Sequence, residues 1–500
     1  MKDEKVVKKN LLYFPLGTVG RDAVYCLINS YLLTFVLFTH SLDGAQVAAI
    51  TGIMVAARVF DALNDPVMGN IIERTRSRFG KFKPWLLAGG LSTSAVIYLL
   101  FNVQLQGWGF VWFFGLMYFA FSITYTMSDI SYWGMIPALG SDADARNRFT
   151  SRTTLFAGIG GTLAAILIPV FTTGSGAIGG STAVAYGWVA LIVAILAPLF
   201  ILFTLFGVQE HRETFPSEKK KEKFSLKQVF RTICRNDQLV WMAVIFLIQQ
   251  VGNGLVLGGI GSTYIYFTFG YDGGLYSLFN TVGMSATAFL MIFYPMISRR
   301  VHRKKLMGMM AVISSAGYGM MLVSMGIPGM AGFWILLVGY MLSNFGQYCY
   351  YLIMMISIMN TVEYNEYKFG TRDEGIITSL RPFITKMGSA LIVAVTSVTY
   401  LLFGVTGYTN RISDLEQQCV QGLISEEQKL GEISEVIFGA GGSGGVSAGQ
   451  GRGLLIAMTV LPWALMLTSY ALYRKKYTLD EEEYDRICGE LQNGEKNQKL

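Results

Sequence analysis

Apolar residues in this 500-residue chain come in long runs rather than in short amphipathic stripes. Runs of roughly 18 or more mostly apolar residues recur about twelve times, near 12–38, 46–72, 84–102, 110–136, 150–172, 186–208, 239–267, 274–298, 306–327, 331–359, 376–405 and 453–473. At about 1.5 Å of rise per residue, each run is long enough to cross the hydrocarbon of a bilayer as a helix. Backbone groups inside lipid must bond within their own segment, so the pattern predicts an all-α membrane protein. The first run reads as a retained span, because it is too long for a cleaved signal peptide, carries Asp22 and lacks a small-residue cleavage site.

The polar breaks between runs predict the topology. The break from Glu73 to Lys83 holds five Lys or Arg residues, and Ser298 to Lys305 holds another five. The stretch around Glu218 to Lys223 is also Lys-rich, whereas the breaks at 102–109, 173–186 and 325–332 have no Lys or Arg. The two kinds alternate, which places both termini and the basic breaks in the cytoplasm. The predicted organisation is an N-terminal six-helix bundle over 1–207, a central cytoplasmic linker over 208–238, a C-terminal six-helix bundle over 239–473 and a cytoplasmic tail over 474–500. The break at 408–452 is a long extracytoplasmic insertion. Asp414 to Ile433 mixes acidic and apolar residues and predicts a short amphipathic helix, and Phe438 to Gly453 is mostly Gly, Ser and Ala and predicts a mobile stretch.

Composition sharpens this picture. Hydrophobic residues make up 52% and charged residues 15%, and the mean hydropathy is +0.44, which excludes an ordinary water-soluble globule and predicts a multi-pass protein of the cell membrane. The net charge of +7 sits mainly in the cytoplasmic breaks and gives no reason to expect nucleic acid. The five cysteines, at 26, 234, 349, 419 and 488, form no CxxC pair, and the three histidines, at 40, 211 and 302, stand far apart in sequence. No phosphate-binding loop and no Ser/His/Asp nucleophile pattern occurs, so neither ATP-driven pumping nor an enzyme is expected.

The informative residues are charges placed inside spans, where each costs on the order of 2.5–3.5 kcal/mol on insertion scales. Arg58, Asp61 and Asp65 fall within an arc of about 60° on one helix and so face one cavity. Span 1 carries Asp22, Tyr25 and Asn29 on one stripe. Span 4 carries Thr126, Asp129 and Trp133, spaced i, i+3, i+7. Span 5 begins with Arg152, and span 11 carries Arg381 and Lys386. An aromatic face beside carboxylates suits a sugar, whose ring stacks on the indole while its hydroxyls donate to the acids. For single residues such as Tyr25 or Asn29, a purely structural role as helix glue is an equal alternative.

Asp-Ala-Leu-Asn-Asp-Pro-Val-Met-Gly at 61–69, followed by Arg-Thr-Arg-Ser-Arg-Phe-Gly-Lys-Phe-Lys-Pro-Trp at 74–85, resembles the signature of the glycoside-pentoside-hexuronide:cation symporters. These are the melibiose permease-like sugar group of the major facilitator superfamily. The resemblance continues in Tyr-Thr-Met-Ser-Asp-Ile-Ser-Tyr-Trp at 125–133, Glu-Tyr-Asn-Glu-Tyr-Lys at 363–368 and Lys-Met-Gly-Ser-Ala at 386–390, and it leaves out 408–452. It implies a twelve-helix major facilitator fold and symport of a glycoside with Na⁺, Li⁺ or H⁺ by alternating access, without a further cofactor. An uncoupled facilitator or exchanger, and a hexuronide or pentoside as cargo, are the alternatives. By the same resemblance Asp61, Asn64, Asp65 and Thr126 hold the cation, Arg21, Asp22, Asp129, Trp133, Arg152 and Lys386 serve the sugar, and Glu363, Glu366 and Arg372 belong to a cytoplasmic gate. Arg21 stands where the family has a lysine, and Arg381-Pro382 departs from the family pattern.

Overall fold

The computed structural model describes residues 2–498 except 140–142, 210–225, 258, 299, 372 and 440–444. Most of the expected central linker, and Arg372, therefore lie outside the described residues. The chain is helical throughout, with no strand among the described residues. The helices are α1 Lys2–Cys26, α2 Leu32–Thr39, α3 Gly44–Arg74, α4 Lys83–Asn102, α5 Gly107–Leu139, α6 Ala143–Thr172 and α7 Thr182–Gly207. They continue as α8 Leu226–Arg235, α9 Asp237–Leu257, α10 Gly259–Phe269, α11 Gly273–Ser298, α12 Arg303–Val323, α13 Gly329–Phe369, α14 Glu374–Leu402, α15 Thr406–Val420, α16 Glu426–Phe438, α17 Ala448–Lys476 and α18 Glu481–Gln498.

Eleven helices among the described residues are long and apolar enough to cross a membrane. The eighth expected run, 274–298, forms α11 but is not one of the eleven. Large apolar side chains point outward, among them Phe206, Trp112 and Leu402, each at least three-quarters exposed, as lipid-facing helices require.

The chain forms two compact units. One comprises Met1–Phe215, Ser262–Thr281 and Val393–Gly451, and the other Pro216–Gly261, Val282–Ile392 and Arg452–Leu500. In the first unit α1 runs into α2 through a single π turn, Leu27–Tyr31, while α3 starts at a reciprocal capping box between Asp43 and Gln46. Glycines let α1 come close to its neighbours: a Cβ on Gly20 would stand 2.6 Å from Ala197 Cα of α7, and one on Gly160 of α6 would overlap the Val19 carbonyl. Below these contacts Phe14, Leu86, Tyr132, Met135 and Phe149 pack into one apolar cluster, with the Phe14 and Tyr132 rings stacked 4.5 Å apart. In the second unit the 41-residue α13 ends at Gly370, whose φ of 70° supplies the left-handed C-cap. The tail helix α18 is tied on by Lys304–Asp480 at 3.0 Å and Arg303–Glu481 at 3.3 Å.

The insertion differs from its expectation. In place of one short helix, 406–438 folds as two, α15 and α16. Gly422, at φ 72°, allows the turn between them, and Ser425 and Gln428 form a capping box that starts α16. The stretch expected to be mobile is helical from Ala448 onward.

Candidate functional site

The close approach of α1 to α6 and α7 fixes where Arg21 projects. Its guanidinium is buried, and Nη2 donates to Asp22 at 3.1 Å and to Thr18 Oγ1 at 3.0 Å. Nη1 donates to Asp129 of α5, and Thr18 Oγ1 in turn donates to Asp22. The cation lies over two aromatic faces, 4.9 Å from the Tyr132 centroid and 5.2 Å from Trp133. Asp129 keeps a side chain more than a third exposed, and Asp22 about a fifth. One arginine thus bridges two partly exposed acids beside a half-buried indole.

One to two turns back along α5 from Asp129, towards the start of the helix, lies a second cluster. Thr126 Oγ1 donates to Asp65 of α3 at 3.4 Å, and Ser122 Oγ donates to Asp61. Arg58 stands 3.8 Å from Asp61, donates to Asn29 of the π turn and lies 5.9 Å from the Tyr118 ring centroid. The Asn64 amide nitrogen is buried with no hydrogen-bond partner among the described residues. Asp61 and Asp65 set two carboxylates beside the Ser122 and Thr126 hydroxyls. Such a set of hard oxygen donors suits one monovalent cation.

The structure thus brings Arg21, Asp22, Asp129 and Trp133 together, and Asp61 and Asp65 with Ser122 and Thr126, on a shared α5. Arg152 is exposed and donates to the Leu11 carbonyl at 3.4 Å. Lys386 lies on α14 within the second unit. There too, Arg381 Nη2 donates to Tyr351 OH at 2.7 Å, and the Tyr348 ring stacks on Tyr351 at 5.6 Å. Two participants escaped the sequence reading: Thr18, one turn before Asp22, and Ser122, one turn before Thr126. Both continue stripes that were already visible, at 18, 22, 25 and at 122, 126, 129, 133.

The family model described as MFS/sugar transport protein matches residues 13–425. The chain belongs to this family. It is 29% identical over 97% of its length to a lactose permease of Lactobacillus delbrueckii subsp. bulgaricus, of which it covers 73%. It is 26% identical over 96% of its length to a raffinose carrier protein of Pediococcus pentosaceus, of which it covers 71%. Among solved structures, an inward-facing, unoccupied bacterial homolog of the human lysosomal transporter Spinster superposes with a TM-score of 0.62 at 14% identity, covering 97% of this chain and 98% of that one. The fold is accordingly that of the major facilitator transporters. The protein is a sugar transporter that passes many times through the cell membrane, and it is not an enzyme.

Proposed function

We propose that this transporter is a cation-coupled glycoside symporter working by alternating access. One observation carries the reading: α5 holds a residue of each station, Thr126 beside Asp65 and Asp129 beside Arg21. A monovalent cation held by Asp61, Asn64, Asp65 and Thr126 relieves the repulsion between the two acids and steadies α3 against α5. The sugar then meets Asp129 and Trp133 already placed. Coupling of this kind is reciprocal, so sugar must tighten the cation by the same factor. Asp22 and Asp129 accept hydroxyl hydrogens and oppose an anionic cargo, which favours a neutral glycoside. The relatives named for lactose and raffinose make these two sugars the first probes. Counterflow of labelled lactose and raffinose in proteoliposomes, with Na⁺, Li⁺ and pH varied in turn, tests the proposal. Flux indifferent to all three cations overturns the coupling.

A second reading has its own support. Among the described residues Arg381 bonds to the neutral Tyr351 hydroxyl and to no acid, so its guanidinium is able to receive a sugar carboxylate. Strong competition of lactose uptake by a glucuronide, lost in Arg381→Gln, would favour a hexuronide over the neutral glycoside.

A further inference from the structure

Within the first unit, the hairpin of α15 and α16 is fastened to the outer ends of α2 and α7 and to the α6–α7 link by buried polar groups. Helix α7 begins at Thr182 with no side-chain cap from its own N-cap residue, Ser181. Its first N–H donates instead to Glu416 Oε2 at 2.8 Å, 234 positions along the chain, while Thr182 Oγ1 donates to Glu416 Oε1 at 2.9 Å. Lys429 of α16 stands 3.2 Å from Glu416, and both side chains are fully buried. Lys429 Nζ also donates to the Gly180 carbonyl at 2.6 Å. Asn410 exchanges two bonds with the backbone of Leu42, at 2.8 and 3.0 Å, and Gln417 donates to the Thr39 carbonyl at 3.0 Å.

We propose that the α15–α16 hairpin is an outer clasp of the transport cycle, in which Glu416 and Lys429 grip the start of α7 and the Gly180 carbonyl while the outward side is shut and release them when it opens. The proposal rests on the alternating-access reading. The hairpin is continuous in sequence with α14 and α17, yet its polar partners belong to α2, α7 and the link before α7. A rocking motion of the two sequence halves must therefore either carry these bonds along or break them. The chemistry favours breaking. Desolvation takes back much of the attraction in a buried ion pair, so a pair that becomes solvated on opening regains as hydration much of what it loses as contact. Such a pair is specific about geometry while adding little to the depth of the shut state. The ties made by Asn410 and Gln417 are neutral bonds between side chain and backbone, each of modest net strength.

The test uses the full chain in liposomes with Cys419→Ser throughout. Ser262 is 2% exposed and 3.5 Å from Thr34 in the first unit, so Ser262→Cys reports outer opening to a membrane-impermeant maleimide without any sugar. Glu416→Gln, which strands the Lys429 charge, is expected to raise labelling at least five-fold. The paired variant Glu416→Gln/Lys429→Met removes both charges, guards against misfolding and is expected to raise labelling as well. In a second arm, a Cβ on Gly180 would stand 3.9 Å from the Glu426 Cβ, within disulfide range. Gly180→Cys/Glu426→Cys is expected to cross-link on oxidation, stop lactose uptake and recover it on reduction. Unchanged labelling in both charge variants overturns the clasp. Wild-type uptake through the cross-linked protein overturns it too, since the hairpin would then travel with α7. An unmodified chain that carries neither lactose nor raffinose counts against the symport reading alone, because the labelling arm needs no sugar.

Discussion

At the scale of single residues, two stations on one helix make separable predictions. Asp65→Asn removes an anionic oxygen donor from the proposed cation station while leaving Arg21, Asp129 and Trp133 untouched. The expected outcome is loss of cation-stimulated lactose uptake with sugar exchange partly kept, read by comparing uptake with counterflow. Asp129→Asn breaks the Arg21 ion pair, and Trp133→Ala removes the stacking face. Both are expected to weaken lactose binding at least ten-fold, measured by calorimetry, while the sugar-free proteins still bind the cation. Equal loss of both ligands in every variant would mean a single fused site. The acids were legible in sequence because charge inside an apolar run is conspicuous. Thr18 and Ser122 were not, because a hydroxyl in a membrane helix usually satisfies itself on its own backbone and carries no signal of a distant partner. The Glu416–Lys429 pair shows the opposite failure: both residues lie in the stretch expected to be a short amphipathic helix, where nothing in the sequence marks them as partners, and both are buried.

At the scale of helices, the site depends on how near α1 comes to its neighbours. Gly160→Ala forces a methyl into the Val19 backbone, whereas Gly161→Ala adds one where nothing lies within 4 Å. The first variant is expected to lower the melting temperature and weaken lactose binding by displacing Arg21. The second should leave both unchanged, and equal behaviour of the two in thermal scans would refute the packing argument. Span positions could be read from hydropathy because lipid imposes length and apolarity together. The subdivision of 406–438 could not, since it turns on one left-handed glycine and one capping box set among polar residues.

At the scale of the whole molecule, stability should depend on pH through His40. Burial lowers its pKa to about 3, and its ring lies 3.7 Å from that of Phe110. The unfolded chain takes up this proton near the ordinary value of about 6.5 and the folded chain does not. Folding stability contributed by the neutral ring is therefore full above about pH 6.5 and falls as pH drops toward 3. His40→Gln is expected to flatten the decline of melting temperature between pH 7 and 4.5 relative to the unsubstituted protein, and an identical decline would show that other groups set it. The π turn at Leu27–Tyr31 has a different consequence, for how the first span is aligned with other proteins. A π turn amounts to one extra residue in an otherwise regular helix, so a helical wheel drawn through the whole span loses register beyond Leu27. Asn29 shares a sequence stripe with Asp22, yet it bonds to Arg58 rather than to Arg21. An alignment that closes this one-residue insertion would match the half of the span that carries Arg21 correctly and pair every later position with the wrong neighbour.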